Sequence, residues 1–370
     1  MELWEQVPEQ KKAKEILNLF LENRRVPHAF IFSGPDGVGK FFATISFCKM
    51  MYHLQEEKIY NNAIKKLNSL QEPVIKYICP LPRGKGEDAD YSSFEKLSPD
   101  QLETYQTEIQ KKINNPFYKI NLEDANTIKI SSIRDIKKFI STSYDEYPFR
   151  FILIDDAHLM NEQSQNALLK TLEEPPEGFF FFLLTSQKDK LLQTIISRCW
   201  NIEFAPLSHF AVKNILEKYY KIEPTIAEKA AIFSEGSVNN AVYLINNNIS
   251  QMLENVISIL RYSIGRRYYS AFKEFYNSLH NQSLDELKFV IRLIKIWLND
   301  IIKKRYSISD FYFREFADTI EKFNDKYGNS RVDILYNKLS SLEDYCSMNL
   351  NLNVLIMNLI FELRGLTLRN

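Results

Sequence analysis

The stretch Gly34-Pro35-Asp36-Gly37-Val38-Gly39-Lys40-Phe41 follows the phosphate-binding pattern G-x-x-x-x-G-K-[ST] at every position but the last. Glycines at these positions let the backbone curl until its N–H groups face a phosphate, and Lys40 adds a point charge. The last position calls for a Ser or Thr hydroxyl, which ligates the Mg²⁺ that bridges the β- and γ-phosphates. Phe41 stands there, and a phenyl ring cannot coordinate a metal. The loop therefore reads as a nucleotide-shaped site with impaired hydrolysis. Its candidate nucleotide-binding residues are Gly34, Gly37, Gly39, Lys40 and Phe41.

Three further groups carry possible chemistry. Asp155-Asp156 closes the apolar run Phe149 to Ile154. Two acids at a strand end commonly sit solvated at a sheet edge. Thr185-Ser186 closes the run Phe179 to Leu184, where a hydroxyl commonly serves as a local cap. Arg198 lies in Ser197-Arg198-Cys199 between a short helix and a strand. It is either a phosphate-seeking guanidinium fork or the partner of a local carboxylate. The four cysteines, Cys48, Cys79, Cys199 and Cys346, have no C-x-x-C spacing, so neither zinc nor a disulfide framework is expected.

The elements that must position these residues follow from periodicity. An amphipathic helix is expected over 9–23, then a buried strand Phe30-Ile31-Phe32, the glycine loop, and a helix from Val38 to about His53. Residues 54–117 are polar, with a Pro-, Gly- and charge-rich loop over 79–90, and are expected to be an insertion. The α/β alternation is expected to resume at Ile128-Lys129-Ile130. Ser132 and Asp135 then form a capping box for the next helix. A strand over 149–154, a helix Glu162 to Glu174 stopped by Pro175-Pro176, a strand over 179–184 and a strand over 200–204 complete the pattern. Such alternation implies a five-stranded parallel sheet with helices on both faces. Three short helices are expected over 208–248, split near Pro224 and Gly236, and an all-helical region over 249–370.

These motifs in this order resemble the clamp-loader branch of the AAA+ proteins, and within it the delta-prime family of bacterial DNA polymerase III, with gamma/tau relatives next. The resemblance is carried by Val26-Pro27-His28-Ala29-Phe30-Ile31-Phe32-Ser33-Gly34-Pro35, by Gln165-Asn166-Ala167-Leu168-Leu169-Lys170-Thr171-Leu172-Glu173-Glu174-Pro175-Pro176, and by Ser197-Arg198-Cys199. It implies an α/β AAA+ module over 1–207, a helical lid over 208–248 and a helical collar over 249–370. Asp155 would hold Mg²⁺ through water. Asp156, where relatives carry Glu, is one methylene short of positioning an attacking water. Thr185 or Ser186 would be the sensor, and Asn239 stands where catalytic relatives place a second-sensor arginine. Arg198 would be an arginine finger, reaching a phosphate bound by a neighbouring subunit. Arg134, Lys137 and Lys138 would face the DNA backbone. The single cysteine of 54–117, Cys79, cannot replace the four-cysteine zinc module that relatives carry there.

The resemblance thus implies a subunit that is not an ATPase by itself, with ATP or ADP bound, if at all, without efficient hydrolysis. Its partners would be gamma/tau and delta subunits, a sliding clamp and primed DNA. The alternative is a hydrolysing gamma/tau-type subunit. Composition does not choose between them. The 370 residues carry 47 basic and 47 acidic side chains, so net charge predicts neither nucleic-acid nor membrane binding. No apolar run spans a bilayer, the start lacks a signal-peptide layout, and the expected location is the cytoplasm. Between Arg261 and Arg305 basic residues outnumber acidic ones, as a solvated helix face or a partner surface.

Overall fold

The computed structural model describes residues 4, 6–53, 55–82, 92–279, 282–348 and 350–367. They form two compact units, Met1–Ala241 and Val242–Asn370. The first is an α/β module built on a five-stranded sheet. In chain order it holds α1 (Lys11–Glu22), β1 (Ala29–Ser33), α2 (Lys40–Tyr52), α3 (Glu57–Asn68), β2 (Ile75–Ile78), α4 (Pro99–Asn114) and α5 (Ile130–Ser141). There follow β3 (Arg150–Ile154), α6 (Glu162–Glu173), β4 (Phe179–Thr185), α7 (Gln193–Ile196), β5 (Trp200–Glu203), α8 (His209–Tyr220), α9 (Pro224–Phe233) and α10 (Val238–Asn246), the last continuing into the second unit.

All five strands are parallel, in the order β2-β3-β4-β1-β5. Strand side chains alternate between faces, and here the two faces differ in chemistry. One is aromatic: Phe30 stacks on Phe182 with centroids 5.2 Å apart, and Phe47 of α2 and Phe151 meet the same ring. The other is aliphatic: Ile31, Ile152, Ile154 and Leu183 pack with Ile133 and Ile136 of α5 and Leu168 and Leu172 of α6. Burying each such side chain contributes about 1.5–3 kcal/mol. Because every strand points the same way, the loops after β1, β3 and β4 share one edge of the sheet, where α/β folds place their ligands.

Two expectations fail within this module. The second strand is Ile75–Ile78, inside the stretch expected to be an insertion, whereas Ile128 makes only an isolated bridge to Met160 and α5 begins at Ile130. The Ser132–Asp135 capping box does not form. Lys129 is the N-cap, with no side-chain capping bond, and Asp135 instead accepts from the backbone and hydroxyl of Ser93. Pairing partners decide strands, and Val74 and Ile78 carbonyls bond β3's flanks at Phe151 and Asp155. Of the loop expected over 79–90, only 79–82 lies among the described residues.

The second unit is helical: α11 (Ile249–Ile264), α12 (Tyr268–Ser278), α13 (Leu284–Arg305), α14 (Ala317–Tyr327), α15 (Val332–Tyr345) and α16 (Leu352–Arg364). Ser283 caps α13 by accepting from Glu286 N. The α13 stripe Leu287, Val290, Ile291, Ile294, Trp297, Leu298 and Ile301 is buried, and Trp297 meets Phe323 edge-on at 5.1 Å. The basic residues of its last two turns are largely engaged within the unit. Lys304 pairs with Glu321 at 2.7 Å and Arg305 donates to Ser330 O at 2.9 Å, while Arg292 and Lys295 share Glu343. These bonds fit a satisfied helix face. Among the described residues no helix is long and apolar enough to cross a membrane.

Candidate functional site

The turn from β1 into α2 has the backbone its glycines permit. Gly34 has φ +145° and a Cβ there would meet Phe204 O at 2.2 Å; Gly37 has φ +73° and its Cβ would meet Asn239 N at 2.8 Å. Both clashes are with backbone, so only glycine fits. Lys40 opens α2 with its ammonium drawn back into the loop, donating to Gly34 O and Pro35 O at 2.6 Å each. Burial lowers its pKa, against the pull of Asp36 and Asp155. Asp36 is opposed by burial too, yet Lys119 at 2.7 Å and Lys40 hold its carboxyl well below the usual range. Lys119 is half-exposed. Its pKa is raised: burial acts against the charge, and Asp36 and Asp156 outweigh burial.

Phe41, one residue on, is buried. Its ring meets Tyr77 edge-on at 6.0 Å, and the Lys112 ammonium lies 4.5 Å from its centroid. The two side chains bracket Asp155. Tyr77 Oη donates to Asp155 Oδ2 at 2.8 Å, Lys112 Nζ stands 3.5 Å from the same oxygen, and Asp156 N donates to Oδ1 at 3.2 Å. Lys112 also donates to Tyr118 O at 2.7 Å. Asp156 is left-handed, at φ +51°. Burial, with Asp155 and Asp36 adding repulsion, pushes its carboxyl up to about 6.

Thr185 is buried, shares a hydrogen bond with His158 Nδ1 at 3.2 Å and accepts from Gln187 N at 3.0 Å. Its hydroxyl is thus occupied in closing its own turn. Burial lowers the His158 pKa to about 4, leaving the ring neutral near pH 7. Ser186 bonds Asp36. Asn239 lies against Gly37, and Ser237 Oγ donates to Asp36 O at 2.7 Å, so the start of α10 abuts the loop with an amide and a hydroxyl, without a cation.

The fold gathers Gly34, Gly37, Gly39, Lys40, Phe41, Asp155, Asp156 and Thr185 at one edge of the sheet. Sequence reasoning missed Tyr77, Lys112, Lys119 and His158. Tyr77 comes from β2. Lys112 and Lys119 come from the end of α4 and the segment after it. Phe117 fixes that segment by packing against Gly39, Phe42 and Tyr219. Their only local signal was Asn115-Pro116-Phe117, a helix stop followed by a ring.

Arg198 lies elsewhere. β1 and β5 are parallel, with Phe30 beside Trp200 and Ser33 beside Glu203. The loop follows the end of β1, whereas Arg198 precedes the start of β5. They therefore lie at opposite edges of the sheet, separated by about 15 Å of strand. The guanidinium rests on its own chain, on Glu173 Oε1 at 2.7 Å and Thr194 O at 2.8 Å, with both charged side chains open to solvent. This joins the two motif stretches, the end of α6 and the Ser-Arg-Cys triplet. Burial pushes the Cys199 thiol up to about 12. On α5, Lys137 and Lys138 are exposed and Arg134 is half-buried.

A family model described as DNA polymerase III, delta subunit, matches residues 9–208, more than half of the chain. DNA polymerase III subunit tau of Bacillus subtilis is 26% identical over 67% of this chain and 38% of its own. Subunit gamma of Buchnera aphidicola (subsp. Acyrthosiphon pisum) is 35% identical over 35% of this chain and 38% of its own. Subunit delta′ of Escherichia coli is 30% identical over 38% of this chain and 42% of its own. The chain thus spans less than half the length of these relatives. A solved gamma subunit-related protein of Thermotoga maritima aligns over 94% of this chain and 98% of its own, at 16% identity and a TM-score of 0.39. The chain belongs to the DNA polymerase III delta/delta′ family, related to the gamma and tau subunits.

Proposed function

We propose that this chain is the delta-prime-type subunit of a bacterial clamp loader. It does not hydrolyse ATP efficiently itself, and it lends Arg198 to a neighbouring ATPase subunit. The observation that carries this reading is the placement of Arg198 at the sheet edge opposite its own phosphate loop. A guanidinium there cannot serve the chain's own site, and any nucleotide it meets belongs to another molecule. Its hold on Glu173 is an exposed ion pair, worth about 0–1 kcal/mol, which a polyphosphate readily displaces with a bidentate, charge-assisted contact. Phe41 in place of the metal-ligating hydroxyl, the occupied hydroxyl of Thr185 and the uncharged Asn239 support a site without hydrolytic power. The similarity to gamma and tau supports the alternative, a hydrolysing subunit of their type, but those three positions speak against it.

In this reading the 1–207 module and the 208–248 lid sit beside a gamma/tau subunit, and the helices over 249–370 join a collar. With the delta subunit, the assembly loads a sliding clamp on primed DNA. Lys137 and Lys138, with Arg134 behind them, offer sequence-neutral, salt-sensitive contacts to the DNA backbone. The test is reconstitution with gamma/tau and delta subunits. Arg198→Ala is expected to leave assembly intact and to lower DNA-stimulated ATP hydrolysis about 10³-fold, the scale of a lost arginine finger. An unchanged rate removes Arg198 from this role. Hydrolysis by the purified chain alone, abolished by Lys40→Ala, would favour the gamma/tau-type reading.

A further inference from the structure

The fold family implies a Mg²⁺ ion beside the acid that ends β3, and the residues present do not fit one. Mg²⁺ needs a near-octahedral shell of oxygens at about 2.0–2.1 Å and keeps several waters. Here the hydroxyl position is a buried phenyl ring. Both oxygens of Asp155 are engaged, Oδ2 by Tyr77 Oη at 2.8 Å and the Lys112 ammonium at 3.5 Å, Oδ1 by Asp156 N at 3.2 Å.

Resting on the reading of the loop as a lapsed nucleotide site, we propose that Lys112 is the resident cation of Asp155, built into the fold in place of the divalent metal. The Lys112 side chain is almost wholly enclosed, between the Phe41 face and the Tyr118 carbonyl, so its charge faces the acid and little else. Lys119, half-exposed, pairs with Asp36 at 2.7 Å. The cluster is balanced: Lys40, Lys112 and Lys119 stand against Asp36, Asp155 and Asp156. A metal entering beside Asp155 would meet an ammonium that cannot withdraw without leaving Phe41 and Tyr118. Phe117 holds the same segment down on Gly39 and Phe42. The end of α4 and residues 115–119 therefore clasp the phosphate loop in one conformation that no metal–nucleotide cycle alters.

The experiment titrates a fluorescent ATP analogue into the full-length chain with excess MgCl₂ or with EDTA. The wild type is expected to give the same titration in both. Phe41→Thr restores the hydroxyl but keeps Lys112, and is expected to remain indifferent to Mg²⁺. Phe41→Thr with Lys112→Met is expected to bind about tenfold more tightly in Mg²⁺ than in EDTA. Phe41→Thr with Lys112→Arg, which keeps a cation, is expected to lose that gain. Mg²⁺-dependent binding by the wild type, or by Phe41→Thr alone, overturns the proposal. So does a folded Phe41→Thr/Lys112→Met chain that ignores Mg²⁺. If that double variant does not fold, the wild-type and Phe41→Thr titrations still decide. Arg198 plays no part in these titrations, so they stand or fall apart from the trans-finger reading.

Discussion

The two edges of one parallel sheet hold their charges in opposite ways. At the edge where the strands end, Lys40, Lys112 and Lys119 meet Asp36, Asp155 and Asp156 in a partly enclosed cluster. At the edge where they begin, Arg198 touches one solvent-exposed carboxylate, Glu173. Enclosed charges cost stability unless partnered, so the first edge is rigid and its groups answer to one another. Exposed pairs bind weakly, so the second edge can trade its partner for a better one. The proposed reading calls for this division: a module without a working metal site can leave its first edge fixed, and one that lends Arg198 to a neighbour must leave its second edge exchangeable.

Arg198→Lys in the reconstituted assembly probes this difference with the largest effect. Lysine keeps the charge but not the planar fork. Hydrolysis is expected to fall about 10²-fold or more, while the melting temperature of the isolated chain moves by no more than about 1 °C, because the exposed pair contributes little. A Lys variant with near-normal hydrolysis would mean that a point charge suffices and that fork geometry is irrelevant. A large loss of stability would mean that the second edge is as fixed as the first.

The strand ends and the motif residues were legible because both are local properties. Runs such as Phe179–Thr185 read as buried strands, and the glycine loop announces its own backbone. What was not legible depends on contacts distant in sequence. Ile75–Ile78 became a strand through pairing with β3, although its polar surroundings suggested an insertion, and Ile128-Lys129-Ile130 had the apolar alternation but no ladder to join. Asp135 had the spacing of a capping box, and Ser93, forty-two positions away, claimed its carboxylate. Lys112 lies on a helix whose sequence reads as polar and ordinary. Only packing between segments distant in sequence, with Phe117 set against Gly39 and Phe42, makes that lysine a partner of Asp155.

An intermediate effect is expected at Asp156, whose carboxyl burial raises to about 6 from an ordinary 3.8. The folded chain then holds a proton there that the unfolded chain has released. This group therefore favours folding at low pH, and the contribution is lost as pH rises from about 4 through 6. Above that range the charged carboxylate burdens the fold. Asp156→Asn removes the burden and suits the left-handed backbone, where Asn is among the best-tolerated residues. The variant is expected to be more stable than wild type at pH 7.5 by roughly 1–3 kcal/mol, with the gain shrinking toward zero by pH 4, measured as paired melting curves across that range. His158, held neutral, pulls the other way as pH falls, but it is common to both chains and cancels in the difference. A variant less stable at pH 7.5 would show that Asp156 is held by its lysines more than it is opposed by its burial and its acidic neighbours.

The smallest effect is expected at Glu173. Its carboxylate is half-exposed and holds Arg198 by a single 2.7 Å contact. Glu173→Ala is expected to cost less than about 1 kcal/mol and, if Arg198 acts in trans as proposed, to leave hydrolysis by the assembly unchanged within about twofold. The comparison with Arg198→Ala is what gives this near-null result meaning. If the pair were a structural clip between α6 and the segment before β5, the two variants would behave alike in both stability and hydrolysis. If Arg198 acts across a subunit boundary, removing its resting partner spares the reaction and removing Arg198 itself does not. Equal losses from both variants would return the residue to a local, structural role.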